Sequence, residues 1–248
     1  MIERLTRSPW LFAASFVLAA VLGAGIFAAA QAVVPAAGAD ADRARIELVV
    51  RDYLLENPEI LPEAMERLRA RETAGAVEAN RNAIVDPYPG AWAGNPDGDV
   101  TVAVYMDYAC GFCRASLPAI EELLTKDRNV RVVYREFPIL SEQSVTAARW
   151  ALAAAEQGKY SSFHDALFAQ GQLSEASIRR AAATAGLNIE KVRETVGTPR
   201  VQRELATNHT TAQALGISGT PAWVIGDRVL PGAVSYRQLA DAVAAARR

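Results

Sequence analysis

Val100-Thr101-Val102-Ala103-Val104-Tyr105-Met106-Asp107-Tyr108-Ala109-Cys110-Gly111-Phe112-Cys113 runs an apolar segment directly into a closely spaced pair of cysteines. Its first seven residues form a short apolar run rich in β-branched side chains, the pattern of a buried strand. After it, Leu117, Ile120, Leu123 and Leu124 share one helical side of residues 114–125, with Pro118 expected to bend the helix. The cysteine pair therefore falls where a strand turns into a helix. Residues 130–137 read as a second strand, and parallel pairing of the two makes a right-handed strand–helix–strand unit.

Further along, residues 141–215 are helical in pattern and rich in alanine, with breaks at Gly158, Gly171, Gly186-Leu187-Asn188 and Gly197-Thr198-Pro199. Ala222-Trp223-Val224-Ile225 and Arg228-Val229-Leu230, joined by Gly226-Asp227, form a predicted antiparallel hairpin, and residues 235–246 a closing helix. The sum is an α/β domain whose two halves are separated by a helical insertion. Asp86 to Gly98 holds three prolines and three glycines, which places the start of this domain at residue 86.

Upstream, Arg4 and Arg7 precede an uncharged stretch from Trp10 to Val34. Residues 1–39 therefore read as a signal peptide, cut after Ala30-Gln31-Ala32 or Ala37-Gly38-Ala39, or as a membrane anchor. Either puts the remainder outside the cytoplasm. A short linker is expected at residues 38–42. Within residues 40–85, Ile46, Val49, Val50, Tyr53 and Leu54 recur at helical spacing up to Asn57-Pro58. A second helix, with Asn57 as cap and Pro58 at its first position, carries Ile60, Leu61, Ala64, Met65 and Leu68. Two amphipathic helices with little chain to cover them suggest docking on the main domain or self-association through residues 42–72.

The 248 residues carry a net charge of −2 and no charge blocks, so nothing marks a nucleic-acid partner. There are only two cysteines. A disulfide closing so short a loop would stabilise the fold little, so the pair is there for chemistry. Zinc would need two more ligands, and His164 and His209 are far apart in sequence; covalent haem would need histidine where Arg114 stands. At a helix start the free amides and the dipole favour an anion. Cys110 is the expected accessible thiolate, and Cys113, one turn in, the shielded thiol that attacks a mixed disulfide at Cys110. No cofactor is expected beyond the redox-active disulfide of this pair. His164 and His209 read as helix-surface or packing residues, Trp150 and Trp223 as core, and Phe112 as exposed beside the sulfur.

Asp107-Tyr108-Ala109-Cys110-Gly111-Phe112-Cys113, Arg135-Glu136-Phe137-Pro138-Ile139-Leu140 and Ser218-Gly219-Thr220-Pro221-Ala222 together resemble the DsbA-type thioredoxin-fold proteins of bacterial envelopes, from about Val100 to the C-terminus. Tyr53-Leu54-Leu55-Glu56-Asn57-Pro58-Glu59 resembles the N-terminal region of ScsC-like members (suppressor of copper sensitivity protein C), some of which are oligomeric isomerases. The resemblance implies a cis peptide at Thr220-Pro221, with the Thr220 backbone open to an extended substrate, and a substrate surface of Gly111, Phe112, Thr220 and Pro221. It implies a periplasmic enzyme acting on exported proteins with cysteines and reset by a membrane redox partner.

The chain departs from the pattern in two places. Many relatives carry a buried acid six positions before the first cysteine, where Val104 stands, so proton transfer would fall to water or to Asp107, itself alternatively a helix cap. Strong oxidants of the family carry histidine between the cysteines, where Phe112 stands. The sequence therefore leans to disulfide isomerase. A DsbA-type oxidase, or a copper-binding or holdase protein of metal stress using two soft thiolates, are the alternatives.

Overall fold

The computed structural model describes residues 9–248; Arg4 and Arg7, invoked above for export, lie outside the described residues. Contacts divide the chain into two compact units that meet between Glu66 and Arg67.

The first unit is dominated by α1 (Pro9–Glu56). The expected linker at residues 38–42 is no break: the backbone stays helical through it. The alanine-rich chain around it has the highest helix propensity available, which offsets Gly38 and the missing amide of Pro35. Ala13–Ala30 has mean hydropathy 2.2 and is long and apolar enough to cross a membrane. Asn57 does not cap the helix that follows. Its amide nitrogen donates to Tyr53 O at 2.9 Å, and its backbone N–H bonds the same carbonyl, so it closes α1 instead. Next comes α2 (Ile60–Ala79).

The second unit is built on a five-stranded mixed sheet of β1 (Trp92–Gly94), β2 (Val100–Met106), β3 (Val130–Glu136), β4 (Ala222–Ile225) and β5 (Arg228–Pro231), in the order β1-β3-β2-β4-β5. Its core is β2 and β3, parallel and in register from Val100 against Val130 to Met106 against Glu136. Between them runs α4 (Gly111–Lys126), which continues through Pro118. The hairpin of β4 and β5 pairs antiparallel with β2, and α10 (Tyr236–Ala246) closes the chain behind a Ser235/Gln238 capping box. The insertion is α5 (Glu142–Glu156), α6 (Tyr160–Ala169), α7 (Glu175–Thr184), α8 (Ile189–Thr195) and α9 (Pro199–Ala214). This is the thioredoxin fold with a helical insertion.

Alternation along the strands sorts two cores. Val102, Val104 and Met106 of β2, with Val132 and Tyr134 of β3, face Cys113, Ile120 and Leu123 of α4 and the insertion. Ala103, Tyr105 and Val224 face the other way, onto Val77 of α2, Ile84 of α3 (Arg81–Val85), Phe137 and Ala212.

The turn-rich segment before β2 hides an element that sequence patterning does not show. Trp92–Gly94 forms β1, antiparallel to β3, at the sheet edge. Its glycines are required by close approach. A Cβ on Gly90, whose φ is +87°, would lie 2.4 Å from Ala155 O, and one on Gly94, φ +89°, 2.5 Å from Val130 O. Gly90→Ala is expected to cost about 1–3 kcal/mol, combining a strained φ with a backbone clash. Urea unfolding followed by circular dichroism checks this, and an unchanged midpoint contradicts it.

Candidate active site

Strand β2 delivers the chain to the site through the turn Asp107-Tyr108-Ala109. Asp107 holds that turn rather than capping a helix. Its Oδ1 accepts from Ala109 N at 2.8 Å, and its Oδ2 from Ile139 N and Leu140 N at 2.9 and 3.0 Å. The loop after β3 is thus pinned beside the cysteines. The N-cap of α4 is Cys110, with no side-chain capping bond, and the helix starts at Gly111, so both cysteines belong to its first turn. Free amides of that turn and the positive end of the dipole lie at the Cys110 side chain.

Both cysteines are free thiols. Cys110 is less open than expected, at 7% exposed, because the Thr220 loop lies over it: Cys110 Sγ donates to Thr220 O at 3.2 Å. Cys113 is completely buried. Its sulfur accepts from Asp107 N at 3.5 Å, and burial pushes its thiol far up. Thr220 Oγ1 is buried without a hydrogen-bond partner and lies where it favours the ionised form of Cys113. The Thr220-Pro221 peptide is cis. Thus Thr220, distant in sequence, meets the Cys110–Cys113 pair in one place. Gly111 and Phe112 are exposed beside them, Phe112 at 69%. A groove of about 350 Å³ runs along Ser218, Gly219, Thr220 and Pro221 to Val229 and Gly232.

Of the remaining residues singled out in the sequence, Trp223 is fully buried and donates from Nε1 to Gly232 O at 2.9 Å, while Trp150 is partly buried against the core. His209 is exposed beside the Phe137 ring. His164 is a packing residue: it is buried among Tyr108, Tyr134, Tyr160 and Phe168, and burial pushes it down to about 3.

Two functional candidates escape sequence reading, although both stand in the quoted Arg135-Glu136-Phe137-Pro138 motif. Arg135 is 2% exposed and donates to Ile84 O at 3.1 Å, Asp86 O at 2.5 Å and Glu204 Oε1 at 3.0 Å. Glu136 is buried at the end of β3, where its Oε1 accepts from Tyr160 OH at 2.7 Å and Tyr108 OH at 3.2 Å. Desolvation outweighs those two bonds and pushes the Glu136 carboxyl up to about 8.

Residues 101–244, more than half of the chain, match the DSBA-like thioredoxin domain. The chain belongs to that family. Residues 42–74 match the N-terminal domain of the copper resistance protein ScsC. Among solved structures, the DSBA-like fold here is similar to a thioredoxin-like oxidoreductase from Silicibacter pomeroyi, 44% identical, with a TM-score of 0.65 over 68% of this chain and 98% of that one. It is also similar to a linker-deletion mutant of Proteus mirabilis ScsC, 27% identical, with a TM-score of 0.68 over 83% and 94% of the two chains. A curated relative, the Na(+)/H(+) antiporter NhaA 3 of Salinispora tropica, is 33% identical over 72% of this chain. The match spans only 28% of that antiporter's length. The two domain matches together cover the chain from residue 42 to residue 244 apart from 75–100.

Proposed function

We propose that this protein exchanges disulfides with exported, cysteine-containing proteins through Cys110 and Cys113, and that it leans to isomerisation. The observation that carries the reading is the placement of Cys110 at the N-cap of α4 with its sulfur on the Thr220 carbonyl, while Cys113 waits buried behind it. A thiolate at Cys110 attacks a substrate disulfide and forms a mixed disulfide; Cys113 then attacks Cys110 and releases the substrate thiol. No cofactor takes part beyond the Cys110–Cys113 disulfide. Gly111, Phe112, Thr220 and Pro221 form the substrate surface, and an extended peptide lies along the Thr220 loop with few demands on its sequence. Phe112 between the cysteines withholds the charge that histidine would add, which favours a mild couple suited to reshuffling.

The apolar helix Ala13–Ala30 supports a periplasmic location, by anchor or by cleaved signal, where a membrane redox partner resets the pair. For self-association, residues 42–72 supply Ile46, Val50, Leu54, Leu55 and Leu61, which line an apolar groove of about 480 Å³. A self-associated parent and a monomeric Val50→Glu, Leu61→Glu double variant are expected in sedimentation. The variant should keep disulfide reduction and lose most reactivation of scrambled ribonuclease. A monomeric parent refutes the assembly, and a parent that cannot reactivate scrambled ribonuclease refutes the isomerase reading.

A further inference from the structure

Exchange through Cys113 needs a base, and the expected places for one are empty or occupied. Val104 is apolar, and both oxygens of Asp107 are committed to three backbone amides. The thiol of Cys113 is buried, where losing a proton is hard.

Glu136 is the carboxyl left over. It follows Tyr134 by two residues on β3, so it lies on the sheet face that carries Val104, Met106 and Cys113. It is the register partner of Met106, and Phe137 N bonds Met106 O at 2.9 Å. The next residue, Asp107, holds the Cys113 sulfur on its amide. The Glu136 backbone therefore lies one strand spacing, roughly 5 Å, from that of Met106, the residue next to the amide that touches the sulfur.

The groups around Glu136 come from every element packed on it. Tyr108 comes from the turn before α4, Tyr160 and His164 from α6, and Tyr134 from its own strand. Asp107 and Glu204 add negative charge nearby, and Asn208 of α9 binds the Glu136 carbonyl at 3.1 Å. Neither side-chain hydrogen-bond partner of the carboxyl is a cation. This shell serves both protonation states without moving a heavy atom. With Glu136 ionised, Tyr108 donates to it and His164 Nδ1–H donates to Tyr108 OH, 3.0 Å away. With Glu136 protonated on Oε2, Oε1 still accepts from both Tyr160 and Tyr108, and His164 keeps its tautomer.

We propose that Glu136 is the proton acceptor for Cys113, acting at one remove from the sulfur, with Tyr108, Tyr160 and His164 as the shell that keeps its carboxyl usable inside the core. The inference rests on the exchange reaction given above. In that step the Cys113 proton passes to the Glu136 carboxylate, and the Cys113 sulfur forms a bond to Cys110 Sγ. The bond between Cys110 and the substrate sulfur breaks, and its electron pair leaves as the substrate thiolate. The cysteine pair ends oxidised by two electrons and the substrate disulfide reduced by the same two.

Stopped-flow reaction of the reduced full chain with dithionitrobenzoate separates the steps. The first thionitrobenzoate reports attack by Cys110, the second attack by Cys113 on the mixed disulfide. The second phase of the parent is expected to accelerate as pH rises through about 8, where Glu136 ionises. In Glu136→Gln that acceleration disappears, and the second phase at pH 9 falls by roughly tenfold or more. Tyr108→Phe keeps the carboxyl but removes a hydrogen bond that favours its ionised form, so the inflection moves to higher pH; this variant carries the test if Glu136→Gln does not fold. A folded Glu136→Gln with the parental second-phase profile, or an unmoved inflection in Tyr108→Phe, overturns the role of Glu136. A parent that shows no first phase at Cys110 overturns the exchange reaction itself.

Discussion

Cys110→Ser is expected to lower disulfide reduction, followed by insulin turbidity, by about 10³-fold or more, to the level of buffer. Its hydroxyl is a poor nucleophile at neutral pH, and among the described residues the other thiol, Cys113, is completely buried. Stability should move little. The thiol makes one weak bond, to Thr220 O, and a serine hydroxyl accepts the same role. Cys113→Ser should behave differently, since Cys110 can still attack but nothing resolves the product, so a mixed disulfide on Cys110 accumulates in mass spectra. Equal loss in both with no adduct would mean that Cys113, not Cys110, meets the substrate.

Arg135→Met is expected to destabilise the protein by about 3–5 kcal/mol in urea unfolding. The guanidinium is buried and holds three groups from different parts of the chain: Ile84 O and Asp86 O beside α3, and the Glu204 carboxylate of α9. Methionine fills much of the volume but leaves the half-buried Glu204 and two carbonyls without their donor. The double variant Arg135→Met, Glu204→Leu should recover part of the loss, since removing both charges of a buried pair costs less than stranding one. A single variant as stable as the parent would show that this ion pair contributes nothing.

These two residues mark how far sequence alone reaches. The cysteine pair was legible because it is isolated at a strand–helix junction, and β2, α4, β3 and the hairpin were legible because their apolar periods are unbroken. Edge strand β1 was not: its three residues carry no pattern and become a strand only by pairing with β3. Arg135 and Glu136 fall inside the run read as a strand, whose pattern does not show that they are buried. Their partners, Glu204 and Tyr160, come from helices far along the chain, so burial of the two charges is decided by tertiary packing. For His164 the sequence leaves surface and packing open, and an aromatic enclosure from three segments of chain decides for packing. The Gly38–Asp42 stretch errs in the other direction: linker-like residues stay helical within an alanine-rich run.

Cys110 and Cys113 are expected to form a reversible redox couple. Equilibrating the full chain in glutathione buffers of graded potential, trapping free thiols with an alkylating reagent and weighing the products tests it directly. The expected result is a single two-electron transition between dithiol and intramolecular Cys110–Cys113 disulfide, centred above roughly −300 mV, the range of labile rather than structural disulfides. A pair that stays reduced in oxidised glutathione, or a disulfide that reduced glutathione never opens, would contradict it.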